Sequence, residues 1–287
     1  MWQNIDMPDQ LTTLSQSSLQ DYHDCPRRFE LRYLQRLAYP AIETEPALEN
    51  EKHQQEGEYF HRLVQQHLIG ISAEQIGKLA NTDNLQRWWE NYLNAADLGG
   101  LGDLRDLYPE VALSAPLGKF RLVAKYDLIA VDKNKVTIYD WKTYRKRPKN
   151  EWLHVRWQTR VYRALLVQAG AYLNNGKPFE PEQIEMIYWF ADFPAEPARF
   201  VYKTDQYKRD WDSLTRLSEE ITSASSGSTT LTTGFPLTDD VSKCNYCPYR
   251  SYCNRGIRAG DAVDAELETE AEELFDINFE QIGEIEF

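Results

Sequence analysis

Two sets of residues in this chain have types and spacings suited to chemistry. In the first, Asp127 and the run Asp140-Trp-Lys142 put two carboxylates and an ammonium on neighbouring strand-like segments, with His61 upstream and Gln158-x-x-x-Tyr162 downstream. In the second, Cys25 stands far from Cys244, Cys247 and Cys253, which form a Cys-x2-Cys-x5-Cys group. Two carboxylates brought together repel unless a cation lies between them, and a hard divalent ion, Mg2+ or Mn2+, is the natural occupant. Such an ion can activate water for attack on a phosphodiester, and an ammonium two residues along the same strand face can neutralise charge growing on the phosphate. An imidazole ligand from His61 would tilt the preference toward Mn2+.

The elements that must position these groups are legible as changes of period. Glu110 to Leu117, Phe120 to Val131 and Lys135 to Thr143 alternate or run apolar at strand length, and a hairpin about Lys133-Asn134 pairs positions whose numbers sum to 267. Val131 then faces Val136, Asp127 faces Asp140, and Lys125 faces Lys142. Directly opposed side chains have Cβ atoms roughly 4.5–5.5 Å apart, which is the basis for expecting the two aspartates to share an ion. Two short helices are expected to meet near Cys25, with helices at Glu49 to Ile69 carrying His61, Glu74 to Leu98, Glu151 to Leu173 and Asp205 to Ile221. Gly57, four residues before His61, puts a small residue on the imidazole side of its helix and lets the helix backbone approach a sheet. His23, His53, His67 and His154 are read as ordinary structural or surface histidines. Ile184 to Phe190 and Arg199 to Tyr202 are expected strands, and Ser223 to Gly234 a linker.

A chain of 287 residues that is 42% hydrophobic and 13% aromatic can bury a substantial core. No apolar run approaches the roughly 20 residues of a membrane span, and the N-terminus has neither the basic flank nor the apolar stretch of a signal peptide, so the expected compartment is the cytoplasm. Close-set cysteines there read as metal ligands rather than disulfides. The net charge of −13 is unfavourable for gripping nucleic acid, but eleven acids and no Lys or Arg lie between Asp261 and Phe287, which leaves the body nearly neutral. Lys142, Arg145, Lys146, Arg147 and Lys149 then supply a local cationic run. No phosphate-cradling Gly-x4-Gly-Lys-[Ser/Thr] loop occurs, so no nucleotide-driven motor is encoded.

Leu14-Ser-x-Ser-x-Leu19 leading to Cys25-Pro-x-x-Phe29, then Gly-x-x-x-His61, Asp127 on a strand, Asp-x-Lys-Thr143, Gln-x-x-x-Tyr162 and the cysteine triplet resemble the RecB-like branch of the PD-(D/E)XK nuclease superfamily. The likeness is closest to its iron-sulfur members, among them the CRISPR adaptation nuclease, AddB and the Dna-two type helicase-nucleases. The resemblance implies an α/β fold with a mixed central sheet flanked by helices, spanning residues 12–258 as one nuclease domain: a core of about 47–222, and cluster-binding segments at 12–40 and 241–258. It implies that His61, Asp127, Asp140 and the backbone carbonyl of Trp141 hold the metal, that Lys142 is catalytic with the two aspartates, and that Gln158 and Tyr162 contact substrate; Arg145 and Lys146 are read as further substrate contacts from the charge of the basic run. That substrate would be single-stranded DNA or DNA ends, in repair and recombination or in spacer acquisition, with a helicase or CRISPR adaptation proteins as partners. One departure from the family pattern is Ala124 in place of glycine three residues before Asp127.

The four cysteines fit either a [4Fe-4S] cluster or tetrahedral zinc, and spacing alone does not choose. The resemblance favours iron-sulfur, with Arg250, Arg255 and Arg258 nearby. A rival reading is a catalytically silent, nuclease-shaped nucleic-acid binding or scaffold protein. Residues 259–287 read as a disordered acidic tail, whose interspersed apolar residues could instead dock on a partner or whose carboxylates could imitate DNA.

Overall fold

The computed structural model describes residues 12–37, 45–95, 106–133, 135–226, 235–245 and 247–255. The expected acidic tail and residues 227–234 of the expected linker therefore lie outside the described residues. Among the described residues six strands form one mixed sheet: β1 (Thr13–Leu14), β2 (Asp106–Leu117), β3 (Phe120–Asp132), β4 (Lys135–Lys142), β5 (Ile184–Phe190) and β6 (Ala198–Val201). The three longest follow the alternating segments of the sequence, and the hairpin register is as expected, with Val131 opposite Val136 and Asp132 opposite Lys135. The two-residue β1 has too little length to show a period and is visible only through its parallel pairing to Arg121 and Leu122.

Strand β3 organises the sheet. One of its edges is covered by antiparallel β2 from Phe120 to Val131. Its other edge takes β1 at residues 121–122 and β4 only at residues 128–132. On that edge the ladder is therefore interrupted across residues 123–127. Strand β4 is pinned on its far side by parallel β5 from Val136 to Lys142, so its C-terminal end stays in the sheet even where β3 has left it.

Two apolar layers cover the sheet. On one face α1 (Gln16–Asp24), α7 (Trp157–Ala169) and α8 (Thr204–Ser226) bury Leu19, Val161, Leu165 and Leu214 against Leu122, Tyr126, Ile138 and Tyr188. On the other, α3 (Glu45–Leu68), α4 (Ala73–Gly77) and α5 (Asp83–Asn94) bury Phe60, Val64, Trp88 and Trp89 against Leu128, Tyr139, Trp141 and Trp189. Helix α1 starts at Ser15, whose hydroxyl and that of Ser18 satisfy each other's backbone N–H in a capping box. It ends at Cys25, where Pro26 opens α2 (Pro26–Phe29).

Two expected helices are broken. The stretch from Glu74 divides into α4 and α5 because Thr82 caps a new N-terminus, its hydroxyl accepting from the Leu85 N–H at 3.3 Å. The stretch from Glu151 divides into α6 (Asn150–Val155) and α7 because Arg156 is extended, with φ at −60° and ψ at 143°. The Arg156 guanidinium lies 4.6 Å from the Trp152 ring centroid across the break. This re-aims α7, and its first turn delivers Gln158 to β4.

Candidate active site

Side-chain alternation along β3 reverses at Asp127. Before it, the even-numbered Leu122, Ala124 and Tyr126 pack under α7, whereas after it the odd-numbered Ile129 and Val131 do so and Leu128 and Ala130 face α3. Directly across on β2, Glu110 has a positive φ of 55°, and the pairing of β2 with β3 skips Glu110 and Asp127 together. A non-glycine residue in the left-handed region is costly, by roughly 1–3 kcal/mol, and marks a backbone held by its surroundings. The local distortion turns Asp127 out of both apolar layers and into the gap between β3 and β4.

The paired ladder between β3 and β4 stops at Leu128–Tyr139, so Asp127 and Asp140 are not an opposed ladder pair as the register implied. Instead Asp127 Oδ2 accepts the Trp141 N–H at 2.7 Å, taking the place of a backbone carbonyl on the splayed strand. Its Oδ1 lies 3.2 Å from His61 Nδ1. Burial pushes the Asp127 pKa up, but the His61 imidazole, the Trp141 N–H and the Lys142 ammonium outweigh it and leave it below the ordinary carboxylate value. Asp140 is 2% exposed; its Oδ1 lies 2.9 Å from Lys142 Nζ and its Oδ2 accepts from Gln158 Nε2 at 2.8 Å. The expected opposition of Lys125 and Lys142 is likewise overturned, since Lys125 sits beyond the end of the ladder, pairs with Ala112 on β2 and forms an ion pair with Glu110.

Helix α3 supplies the third side of the site through one stripe. His53, Gly57 and His61 recur at i, i+4 and i+8 on a single face. His53 Nε2 lies 2.8 Å from the Thr143 carbonyl oxygen, directly after Lys142, and its ring stands edge-on to Trp88 at 5.3 Å. A Cβ built on Gly57 would come 2.8 Å from Thr143 Oγ1, so the glycine permits the close approach that its spacing suggested. His53 is thus a satisfied buried histidine, as the sequence reading allowed, and the 53-57-61 series places it on the stripe that faces the site. Gly57→Ala is expected to lower the melting temperature. Overpacking of about 1–3 kcal/mol exceeds the helix-propensity gain of at most about 1 kcal/mol, and an unchanged or raised melting temperature would refute the importance of this close approach.

Gln158 and Tyr162 are both buried, at 6% and 4% exposure. Gln158 bridges Asp140 to Tyr188, whose hydroxyl donates to its Oε1 at 3.3 Å, so its place in the structure is to hold the carboxylate. The Tyr162 ring packs 4.7 Å from that of Tyr126 within the core, which corrects its expected position at a substrate surface. If Asp140 is a ligand to a divalent ion, Gln158→Leu should weaken Mn2+ binding about 10–100-fold in titration calorimetry, since groups that orient a ligand commonly control affinity on that scale. Equal affinity would show that Asp140 needs no such support. In the basic run, Arg145, Lys146 and Lys149 are exposed. Arg147 folds back instead, donating to the carbonyl oxygens of Glu196 and Pro148 at 2.8 Å and lying over Phe190.

A family model described as the PD-(D/E)XK nuclease superfamily matches residues 13–254. The chain belongs to this superfamily. Asp140-Trp-Lys142 has the acid-x-Lys form in that description, and it lies on the strand that β5 holds in place. Among solved structures, SSO0001 is 14% identical, with 87% of this chain and 89% of that chain covered and a TM-score of 0.40. A protein of Eubacterium rectale described as "Putative exonuclease" is 10% identical, with 80% and 88% covered and a TM-score of 0.47. No curated protein matches. The mixed sheet with helices on both faces is consistent with a core of this superfamily, whose nucleases generally use divalent metals.

The N- and C-terminal segments of this nuclease-superfamily chain meet around its cysteines. The Arg27 N–H donates to the Pro236 carbonyl at 3.1 Å, the Tyr249 hydroxyl to the Leu37 carbonyl at 3.0 Å, and Phe235 packs against Tyr22 and Phe29. Cys25 and Cys244 are buried, and Cys25 is close enough to act electrostatically on Cys244, Cys247 and Cys253. Burial raises all three of the latter thiols, Cys247 to about 11. Among the described residues no group of three or more His, Cys, Asp or Glu stands ready to hold an ion. Arg250 is buried and donates to the Asn245 carbonyl at 2.9 Å, and Arg255 donates to the Thr238 carbonyl at 3.2 Å, so both brace this segment; Arg258 lies outside the described residues. No helix among the described residues is long and apolar enough to cross a membrane.

Proposed function

We propose that the protein is a DNA nuclease of the RecB-like branch, acting on single-stranded ends with Mg2+ or Mn2+ held by His61, Asp127, Asp140 and the carbonyl of Trp141. The observation that carries this reading is a chain of contacts at the splayed end of β3 and β4: His61 lies against Asp127, Asp127 accepts from the Trp141 N–H between Asp140 and Lys142, and Lys142 lies against Asp140, although the three would-be ligand side chains are not drawn into a ready-made cage. One imidazole, two carboxylates and a backbone carbonyl suit a hard or borderline divalent ion. When bound, such an ion acidifies water and offsets charge on the scissile phosphate. Asp140 is oriented by Gln158 and Lys142, while against its burial Asp127 is held below the ordinary carboxylate value by His61, the Trp141 N–H and Lys142. Lys142 presents its ammonium to the phosphate, and Arg145 and Lys146 draw the strand toward the site by charge.

The second part of the proposal assigns Cys25, Cys244, Cys247 and Cys253 to a [4Fe-4S] cluster. Four free thiols drawn from two segments that already touch, with Arg28 near Cys25 and Cys247 to balance thiolate charge, support it. The setting would be recombinational repair or CRISPR spacer acquisition, where a helicase or adaptation complex presents the ends. The test is digestion of end-labelled single-stranded DNA by protein loaded with Mn2+ or Mg2+, with EDTA as the blank, alongside iron and zinc analysis. Metal-dependent shortening of the strand and iron in the purified protein are expected. An intact strand under all metals would reject the nuclease reading, and stoichiometric zinc without iron would reject the cluster.

A further inference from the structure

A cavity of about 460 Å3 opens at the far edge of the sheet, between α6, β6 and the start of α8. Its volume falls within the roughly 300–1,000 Å3 of small-ligand sites. Three cationic side chains line it, Arg199, Lys203 and Arg209, against one carboxylate, Asp205. The nearest acids are shared with other cations. Asp210 is taken up by Arg160 at 2.7 Å, by the Tyr202 hydroxyl at 3.0 Å and by Arg163 at 3.9 Å. Glu185 lies 3.9 Å from Arg199 but only 2.6 Å from Lys135.

Beside the cations stands an aromatic wall. The His154 ring lies 5.6 Å from that of Phe200, tilted by 37°. Burial, then the Arg163 charge, hold His154 below the usual imidazole value, so the ring is neutral at neutral pH. Gln206 completes the lining, with its Oε1 buried and without a hydrogen-bond partner among the described residues. Cationic donors next to an aromatic face match a phosphate joined to a base, the combination by which single strands are bound.

The register fixes where this cavity sits. Ala198 pairs with Tyr188 and Tyr188 with Asp140, so β6 is two strand spacings, about 10 Å, from the carboxylates, and Phe200 is two residues further along. That is too far for the phosphate being cut, and near enough for another nucleotide of the same strand. The exposed Arg145, Lys146 and Lys149 lie on the segment leading from β4 into α6, the helix that carries His154.

We propose that this cavity is a second nucleotide subsite, gripping a phosphate and base of the single strand away from the bond being hydrolysed. The inference rests on the nuclease reading above, and a free mononucleotide released by cleavage offers the same chemistry. The test uses the full chain in EDTA with fluorescein-labelled oligothymidylate, reading anisotropy over a range of salt. Arg199→Gln, Lys203→Gln and Arg209→Gln combined should weaken binding about tenfold or more and flatten the salt dependence by roughly two, at about 0.7 for each phosphate no longer neutralised. A control carrying Lys78→Gln, Lys119→Gln and Lys177→Gln, at equal net charge, should change it little.

Unchanged affinity in the first variant, or an equal loss in the control, would overturn the subsite. Displacement of the labelled strand by thymidine 5′-monophosphate at concentrations comparable to the oligomer would overturn its assignment to the strand. Cleavage is scored separately with Mn2+, so a failed nuclease reading shows as an uncut strand with the unaltered protein, whereas a failed subsite shows only in the anisotropy.

Discussion

Lys142→Ala is expected to slow cleavage of single-stranded DNA by about 10²–10³-fold or more, the usual loss when one fixed charge-stabilising donor is removed from an active site. The ammonium is well placed for that role. It lies 2.9 Å from Asp140 Oδ1, 5.6 Å from the Tyr188 ring and 5.8 Å from that of Tyr144, and it contributes to the low Asp127 pKa. Its side chain is 13% exposed, so it points into the site rather than out to solvent.

The same substitution separates catalysis from metal loading. Under the proposed function Lys142 would compete with an incoming dication for Asp140, so the alanine variant should bind Mn2+ at least as tightly as the unaltered protein in calorimetry. Without metal it should be less stable, by as much as about 3–5 kcal/mol, because a buried carboxylate loses its charged partner. Mn2+ should then restore more of its melting temperature than it adds to the unaltered chain. Lys142→Arg should not rescue cleavage, since a planar guanidinium cannot stand in for a compact point charge. Full cleavage by the alanine variant would remove Lys142 from the mechanism.

How much of this was legible in the sequence depended on whether the deciding interaction was local. The hairpin register followed from alternation about residues 133–134, and the Gly57-x-x-x-His61 spacing correctly implied a close helix, because both are short-range patterns. The place where β3 and β4 part could not be read that way. It lies where β3 has its other neighbour on the same edge, a two-residue strand more than a hundred positions earlier. The reversal at Asp127 is hidden for a related reason: Tyr126, Leu128 and Ile129 are all apolar, so burial on both faces erases the period that would reveal a switch. Gln158 was found by its spacing, but its contact with Asp140 was not, since it depends on the break at Arg156 that re-aims α7. His53 was read only as structural or surface, and its partner, a backbone carbonyl, is one that no side-chain motif records.

Cys25→Ala should produce a large loss of stability. If the four thiolates share one cluster, the link from residue 25 to residues 244–253 closes nearly the whole folded chain, and cross-links over loops of this size contribute on the order of 4–5 kcal/mol in the chain-entropy picture. The actual loss should fall below that figure. The two segments are already joined by the Arg27–Pro236 and Tyr249–Leu37 hydrogen bonds, the Phe235 aromatic contacts and the Lys243–Asp24 ion pair at 3.7 Å, so part of the closure survives without the metal. Thermal unfolding followed by circular dichroism, with iron content measured on the same samples, checks both points. Iron should disappear with Cys25, and the alanine variant should melt close to where chelator-treated unaltered protein melts, because each lacks the same link. Undiminished iron, or a melting temperature equal to that of the intact protein, would show that Cys25 is no ligand and that the two segments are held by their direct contacts alone.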